Sequence, residues 1–293
     1  MTATQLHRDA LAQDTAMGVV DLLVRDLDTM VAYYTEGVGL DVISTTGDLA
    51  VLGRGTAPIM RLTQRKHLPD FDRGNAGLYH TAILFADQAG LAASINQMAG
   101  YAPRTFTGSA DHLVSEAFYF DDPEGNGVEL YVDRPRSAWT RTADGGVQMA
   151  SLPLDPNQFV LSHLDRTAAQ GAAAARADIG HVHLQVGSIE TAKAFYSDTL
   201  GFDVMARFGS QALFVSAGGY HHHIGMNTWH SAGAGPRAAS LGLGQVSIEV
   251  PNTDDLDAIA TRLKGAGIEV SAEDAAISFD DPWKTRIKVH AGA

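Results

Sequence analysis

The chain has 293 residues, of which 45% are apolar and none is cysteine, and its net charge is −13. This length predicts about two domains, with enough apolar content for two packed cores. The negative charge disfavours nucleic acid and anionic membranes as partners, and the lack of cysteine excludes disulfides, thiolate nucleophiles and cysteine-rich metal sites. Any metal must therefore bind to His, Asp or Glu. Because no apolar run approaches the roughly 20 residues of a membrane helix and the first residues lack an apolar secretory core, we expect a soluble cytoplasmic protein.

The first predicted unit begins with a strand-like stretch, MGVVDLLV, which is followed by an amphipathic helix that a glycine ends. The helix region, residues 24–42, aligns without gaps with residues 186–204, and seven of the 19 positions are identical. The second copy follows a similar strand-like stretch, IGHVHLQV. The chain therefore contains an internal repeat that begins strand, helix, strand.

Two further copies are less similar to the template and begin at Gly77 and Leu243. With Val19, His80, His181 and Gln245 as equivalent positions on the four first strands, the spacings are 61, 101 and 64 residues. Three short strand-like stretches follow each helix. The pattern predicts four βαβββ modules, arranged along the chain as two pairs.

The longer middle spacing indicates a connection between the two pairs. It falls in residues 136–178, which include an alanine-rich stretch. We therefore expect a first domain at residues 17–135 with modules one and two, an interdomain connection at residues 136–178, and a second domain at residues 179–290 with modules three and four.

A known superfamily shares these features. The fourfold βαβββ repeat, with first strands YHTAIL and GHVHLQV and the closing segment DPEGNGVELYVDRP, resembles the vicinal oxygen chelate superfamily, which also includes glyoxalases and antibiotic-binding proteins. Within it, the arrangement of four modules is similar to that of extradiol ring-cleaving dioxygenases of the catechol 2,3-dioxygenase type. The resemblance covers residues 17–289 and implies an α+β fold of two tandem vicinal oxygen chelate domains with a metal cavity.

The resemblance further implies a metal site of two histidines and one carboxylate. His80 and His181 occupy the first-strand positions and Glu129 a last-strand position, whereas Val19 and Gln245 offer no ligand. Such a set leaves coordination positions open and suits Fe(II), with Mn(II) as an alternative. Taken singly, a histidine on a strand is more often a core or surface residue. One metal can bind both histidines only if modules two and three share a cavity.

Three consecutive histidines follow in module three. If they lie on a strand, either His222 alone or His221 together with His223 faces the cavity, because successive side chains alternate between faces. The resemblance assigns His222 the role of acid–base catalyst beside the metal.

Two further residues complete the predicted site, and both precede the closing strand of module two. Tyr119 lies ten residues before Glu129 and resembles a tyrosine that hydrogen-bonds the substrate, although a tyrosine packed within a strand would have the same pattern. His112 resembles a histidine that supports the substrate site, with a spacing to Tyr119 that departs from the family pattern.

The resemblance implies extradiol cleavage, in which both atoms of O2 enter a small aromatic diol. Two alternatives stay open. A glyoxalase-type isomerase or lyase would need a second carboxylate near the metal, and a resistance-type protein would bind an aromatic compound without turnover. A homo-oligomer is compatible with the resemblance.

Overall fold

A computed structural model describes residues 10–164 and 176–292 of the chain. Each of the four modules consists of one strand, one helix and three further strands, which confirms the predicted α+β fold of four βαβββ modules. The elements of the first two modules are β1 (Ala16–Val24), α1 (Leu27–Ala32), β2 (Asp41–Thr46), β3 (Leu49–Arg54), β4 (Ala57–Gln64), β5 (Gly77–Phe85), α2 (Gln88–Tyr101), β6 (Phe106–Asp111), β7 (Ser115–Asp121) and β8 (Gly127–Asp133).

A short helix, α3 (Pro156–His163), lies between modules two and three. The elements of the last two modules are β9 (Ala177–Gln185), α4 (Ile189–Ala192), β10 (Asp203–Phe208), β11 (Ala212–Ser216), β12 (Ile224–Asn227), β13 (Gly242–Val250), α5 (Thr253–Gly265), β14 (Ser271–Glu273), β15 (Ala276–Asp280) and β16 (Arg286–Ala291). Helices α1 and α4 continue as π-helical turns, and single 3-10 turns occur after α2 and β8; these turns span Tyr33–Gly37, Lys193–Thr199, Pro103–Thr105 and Arg136–Ala138.

The strands form two eight-stranded sheets, and each sheet joins one module from each half of the chain. The first sheet has the order β14-β15-β16-β13-β1-β4-β3-β2, and the second has the order β10-β11-β12-β9-β5-β8-β7-β6. At the centre of each sheet two first strands pair antiparallel, β1 with β13 and β5 with β9. Modules one and four therefore form one sheet, and modules two and three form the other.

Each sheet thus combines a module from the first half of the sequence with a module from the second half. The domain boundaries predicted at residues 17–135 and 179–290 divide the chain by sequence, and they stay a prediction. Of the connection predicted at residues 136–178, the stretch 165–175 lies outside the described residues.

Local sequence explains where the helices begin and end. Each module helix starts after a capping side chain that accepts a hydrogen bond from a backbone N–H three residues on; the caps are Asp26, Asp87, Ser188 and Asn252. The turns after the first and third module helices contain Gly39 and Gly201, whose φ values of 87° and 96° favour glycine. Within the described residues no helix is both long enough and apolar enough to span a membrane.

Two equivalent loops connect the modules within each half of the sequence, module one with module two and module three with module four. Both loops begin with the tripeptide Asp-Asp-Pro, and the second aspartate is buried in each. The Tyr34 hydroxyl of module one donates to Asp122 of module two at 3.0 Å, and the Tyr196 hydroxyl of module three donates to Asp281 of module four at 2.9 Å. The sheets and these bonds together connect all four modules.

Candidate metal centre

Strand alternation places Glu129 on the face of the second sheet that is turned away from the main hydrophobic core. Its neighbours on β8, Val128 and Leu130, belong to the main hydrophobic core, so the carboxylate points to the opposite side. In the register of the sheet, Ala82 on β5 lies opposite Glu129 on one side and His181 of β9 on the other. The small side chain of Ala82 leaves room between two larger polar neighbours.

The structure brings His80, Glu129 and His181 together. Glu129 Oε2 lies 2.9 Å from His80 Nε2 and 3.2 Å from His181 Nε2. The three side chains are buried, and each offers one ligand atom such that all three atoms lie within 4.8 Å of one another. Among residues 10–164 and 176–292 this is the one group of three or more potential ligands with that spacing.

The electrostatics of the group match those of a metal site. Burial lowers the pKa of His181 to about 4 against the opposing effect of Glu129, so this imidazole is neutral at neutral pH. Burial alone would raise the pKa of Glu129, but His181 and His80 outweigh burial and hold the pKa of that carboxyl well below its usual range. A neutral imidazole and an ionised carboxylate are the forms that coordinate a divalent metal.

His80 supplies the observation that tests the fit of a metal. Its Nε2 approaches Glu129 without hydrogen-bond geometry and is a buried nitrogen with no hydrogen-bond partner. Such a buried polar atom costs about 1–3 kcal/mol unless something satisfies it. A cation bound by these two imidazoles and one carboxylate would do so, and the donor set is the one that non-haem Fe(II) uses.

Of the three consecutive histidines, His222 is the one that lines the cavity beside the predicted metal ligands. Its ring centroid lies 4.0 Å from that of His181. Burial, followed by the neighbouring histidines, lowers its pKa well below the usual range. The His223 ring turns away, and its Nδ1 accepts a hydrogen bond from the backbone N–H of Ala217 at 3.2 Å.

The position of the histidines differs in one respect from the sequence-based expectation. Strand β12 begins only at Ile224, so the three histidines precede the strand and lie in a bend. Strict alternation therefore does not govern them. The bend nevertheless directs adjacent rings to different surroundings, and the catalytic role of His222 stays a prediction.

Tyr119 and His112 form a hydrogen-bonded pair at the wall of the cavity. A carbonyl oxygen can only accept, so His112 Nδ1 donates to the Ala150 carbonyl at 2.7 Å, and His112 Nε2 then accepts from the Tyr119 hydroxyl at 2.6 Å. Burial, and then Glu129, raise the pKa of Tyr119 well above its usual range, which keeps the phenol protonated. The lone pairs of its oxygen remain available to accept a hydrogen bond.

The cavity above the group has a volume of about 600 Å³. This volume falls in the range of small-molecule sites, roughly 300–1,000 Å³. Five phenylalanine, tyrosine and tryptophan rings line it in addition to the residues already described, from Tyr79, Phe120, Phe208, Phe214 and Trp229. A planar aromatic ligand therefore has both polar groups at the base and aromatic surfaces at the sides.

Comparisons with known proteins agree with this architecture. The model of the Glyoxalase/Bleomycin resistance protein/Dioxygenase superfamily matches residues 178–288. A protein of Bacillus subtilis (strain 168) named catechol-2,3-dioxygenase is 35% identical over 281 residues, covering 93% of this chain and 96% of its own. The chain belongs to the glyoxalase/bleomycin resistance protein/dioxygenase superfamily.

Solved structures of low sequence identity show that the fold is that of the superfamily. A putative dioxygenase from Bacillus subtilis subsp. subtilis str. 168 has a TM-score of 0.65 at 12% identity, over 96% of this chain and 86% of the other. Glyoxalase I from Zea mays has a TM-score of 0.57 at 18% identity, over 95% and 92%. The resemblance and the fold class, with vicinal oxygen chelate domains, are thereby confirmed.

Some residues of this superfamily member were not identified as site residues from the sequence. Tyr79 lines the cavity next to His80, and Asp133 contacts the histidine bend. Alternation along β8 could have indicated Asp133, since positions 129, 131 and 133 share one face. His183, which the sequence places on the same face as His181, also lines the cavity, and its Nε2 accepts from Asn227 Nδ2 at 3.0 Å.

Proposed function

We propose that this protein is an extradiol ring-cleaving dioxygenase that uses Fe(II), held by His80, His181 and Glu129, to insert both atoms of O2 into a catecholic substrate. The observation that carries the proposal is the buried set of two imidazoles and one carboxylate with converging ligand atoms at the cavity. The relative named catechol-2,3-dioxygenase, 35% identical over nearly the whole chain, supports the same reaction class. Mn(II) is the alternative metal because it accepts the same ligands.

Ferrous iron, when bound, supplies a Lewis acid that lowers the pKa of a coordinated phenol and a redox centre for dioxygen. An ion held by these three residues would keep coordination positions for the two diol oxygens and for O2. The burial of the three residues excludes bulk water from their side. The protein contributes ligation, orientation and proton handling, while the metal contributes the reactivity.

His222 is the proposed acid–base residue. Its ring lies against His181 and lines the cavity, and burial keeps it neutral. A neutral imidazole can accept the proton that a catechol hydroxyl loses on binding and can return it later in the reaction.

Tyr119 and His112 are proposed to orient the substrate. Because the Tyr119 proton is directed to His112 Nε2, the phenolic oxygen is left as an acceptor for a substrate hydroxyl. Tyr119 lies opposite Glu129 in the sheet, which sets this acceptor beside the metal ligands. The aromatic wall formed by Tyr79, Phe214 and Trp229 would contact the substrate ring.

The experiment that tests the proposal is reconstitution under anaerobic conditions. Protein loaded with Fe(II), and in parallel with Mn(II), is given catechol in air, with metal-free protein as the control. We expect a yellow ring-opened semialdehyde and the uptake of one O2 per catechol consumed. Absence of metal binding, or metal binding without oxygen uptake from any of a panel of substituted catechols, would contradict the proposal.

The same experiment separates the alternatives. A glyoxalase-type enzyme would isomerise a hemithioacetal without oxygen uptake, and a resistance-type protein would bind an aromatic compound without product. Against isomerase chemistry, the candidate ligand group within the described residues contains a single carboxylate, Glu129, where a second is needed as base. The cytoplasmic location and a homo-oligomer stay parts of the proposal, to be checked by fractionation and by light scattering.

A further inference from the structure

A chain of two hydrogen bonds connects His222, through His221, to Asp133, the last residue of β8. His222 Nδ1 lies 2.7 Å from His221 Nδ1, and His221 Nε2 lies 2.9 Å from Asp133 Oδ1. Neither Asp133 nor His221 lines the cavity, so both can act on the substrate only through His222.

Hydrogen-bond chemistry determines where the protons of this chain reside. An ionised carboxylate accepts and does not donate, so His221 Nε2 carries a proton and donates to Asp133. In a neutral His221 ring the Nδ1 is then a bare acceptor. The facing Nδ1 of His222 must therefore carry a proton, and its Nε2 is the bare nitrogen that remains for the cavity.

The surroundings of His221 hold this arrangement in place. Its side chain is 0% exposed, whereas that of Asp133 is 25% exposed. The ring centroid of Tyr220 lies 4.1 Å from that of His221, and the Trp139 ring lies 5.4 Å away. The Tyr220 hydroxyl is itself hydrogen-bonded to that of Tyr131 at 2.8 Å. An imidazole confined in this way cannot rotate to offer a different nitrogen without disrupting packed aromatic rings.

We infer that Asp133 and His221 are positioning residues that keep His222 in its Nδ1–H tautomer, with the basic Nε2 directed to the substrate cavity. The inference rests on the proposed function, because it explains how the proposed base is kept ready for a catechol proton. A carboxylate that orients an imidazole and selects its tautomer is an established device in hydrolases. Here the carboxylate acts through an intervening histidine.

The first test measures the tautomer directly and needs no metal or activity. Long-range 1H–15N spectra of metal-free protein distinguish protonated from bare ring nitrogens, and His222→Gln assigns the signals. We expect His222 to be protonated at Nδ1 in the natural protein. In Asp133→Asn, whose amide can donate to His221 Nε2 and so reverse the chain, we expect the His222 proton to move to Nε2. A His222 that carries its proton on Nε2 in the natural protein, or that keeps Nδ1–H in Asp133→Asn, would overturn the inference.

His221→Phe provides a second variant, because a benzene ring keeps the aromatic packing but removes the acceptor for His222 Nδ1–H. It should produce the same change of tautomer. The matched control is Asp280→Asn, which removes a carboxylate that pairs with Arg286 at 2.7 Å in the other sheet. This control should leave the His222 signals unchanged, and a change there would count against a specific role for Asp133.

The second test uses the iron-loaded enzyme. We expect Asp133→Asn and His221→Phe to lower kcat by about 100-fold, at the lower end of the effect of general acid–base catalysis, with iron content and KM for catechol unchanged. Asp133→Glu, which retains a carboxylate, should recover most of the lost kcat. Equal kcat values in the natural protein and Asp133→Asn would overturn the inference. If no form of the protein cleaves catechols, the proposed function fails, but the tautomer measurement still decides the positioning of His222.

Discussion

The two sheets have the same topology and register but very different side chains at corresponding positions. In the second sheet, Ala82 lies between Glu129 and His181. In the first sheet the corresponding residue is Asp21, which lies between Arg61 and Gln245. The second sheet therefore carries a group of potential metal ligands. In the first sheet, the position that corresponds to Glu129 is occupied by the cationic side chain of Arg61.

The difference continues one strand further out. Tyr119 lies opposite Glu129 in the second sheet, whereas Val51 lies opposite Arg61 in the first. Asp21 and Arg61 approach to 3.5 Å and partly neutralise each other. The comparison teaches that the scaffold alone does not determine chemistry, because a few side chains at fixed register positions distinguish a candidate active site from an ordinary polar surface.

Replacement of the proposed carboxylate ligand by an amide should have the largest effect, and this effect is on metal affinity. We expect Glu129→Gln to weaken Fe(II) binding by more than about 100-fold, since even residues behind metal ligands contribute 10–100-fold. The measurement is metal titration with circular dichroism to verify folding. Arg61→Gln, at the corresponding position of the first sheet, is the control and should bind metal normally. Equal metal affinity of Glu129→Gln and Arg61→Gln would contradict the proposal that Glu129 of the second sheet binds the metal.

Removal of the proposed base should affect turnover without affecting the metal. We expect His222→Gln to lower kcat by about 10²–10⁴-fold with full iron content. His290→Gln, which changes a histidine of β16 in the first sheet, should have normal kcat. The comparison uses steady-state oxygen uptake and metal analysis, and loss of iron from His222→Gln would make this residue a ligand instead.

The two Asp-Asp-Pro loops allow a comparison of stability. Burial raises the pKa of Asp122 to about 6 and also raises that of Asp281, in each case against hydrogen bonds that lower it. A raised pKa means that the folded protein favours the protonated carboxyl. The stabilising contribution is therefore complete below about pH 4 and is lost as the pH rises through about 6.

Asp122→Asn removes this titration. Because only the natural protein loses this contribution as the pH rises, the free energy of unfolding of Asp122→Asn, relative to that of the natural protein, should increase by about 2.5 kcal/mol from pH 4 to pH 7. Urea denaturation of the metal-free protein at several pH values measures it, and Asp281→Asn should change in the same direction. A difference that is independent of pH would show that Asp122 titrates normally in the folded protein.

Loss of a single substrate hydrogen bond should have the smallest effect. We expect Tyr119→Phe to lower kcat/KM by about tenfold, which corresponds to one hydrogen bond of about 1–1.5 kcal/mol. Tyr101→Phe, at an exposed tyrosine of α2, is the control and should be unchanged. Oxygen-uptake kinetics over a range of catechol concentrations measure both, and an unaffected Tyr119→Phe would remove this tyrosine from the proposed site.

Much of the candidate site could be predicted from the sequence because the resemblance to a known superfamily assigns ligand positions to residues that match in type and in module position. His80 and His181 hold equivalent places on first strands, and the alternation of Val128, Glu129 and Leu130 predicts the side to which the carboxylate points. The contact between His221 and Asp133 joins residues 88 positions apart, and no local pattern announces it. That the three histidines form a bend before β12, which begins at Ile224, is likewise decided by long-range contacts and not by a local pattern.

The sequence by itself determined the four βαβββ modules with their caps and turns, since these depend on periodicity and on local backbone preferences, whereas the three residues of the predicted ligand set came from the resemblance to a known superfamily. Only the tertiary structure decided that module one pairs with module four and module two with module three. It also decided that His222 is the member of the triple that lines the cavity, with Asp133 behind it. The physical reason is that pairing between β5 and β9 and hydrogen bonding through buried rings are long-range choices, made by packing of the whole chain and not by the residues adjacent in sequence.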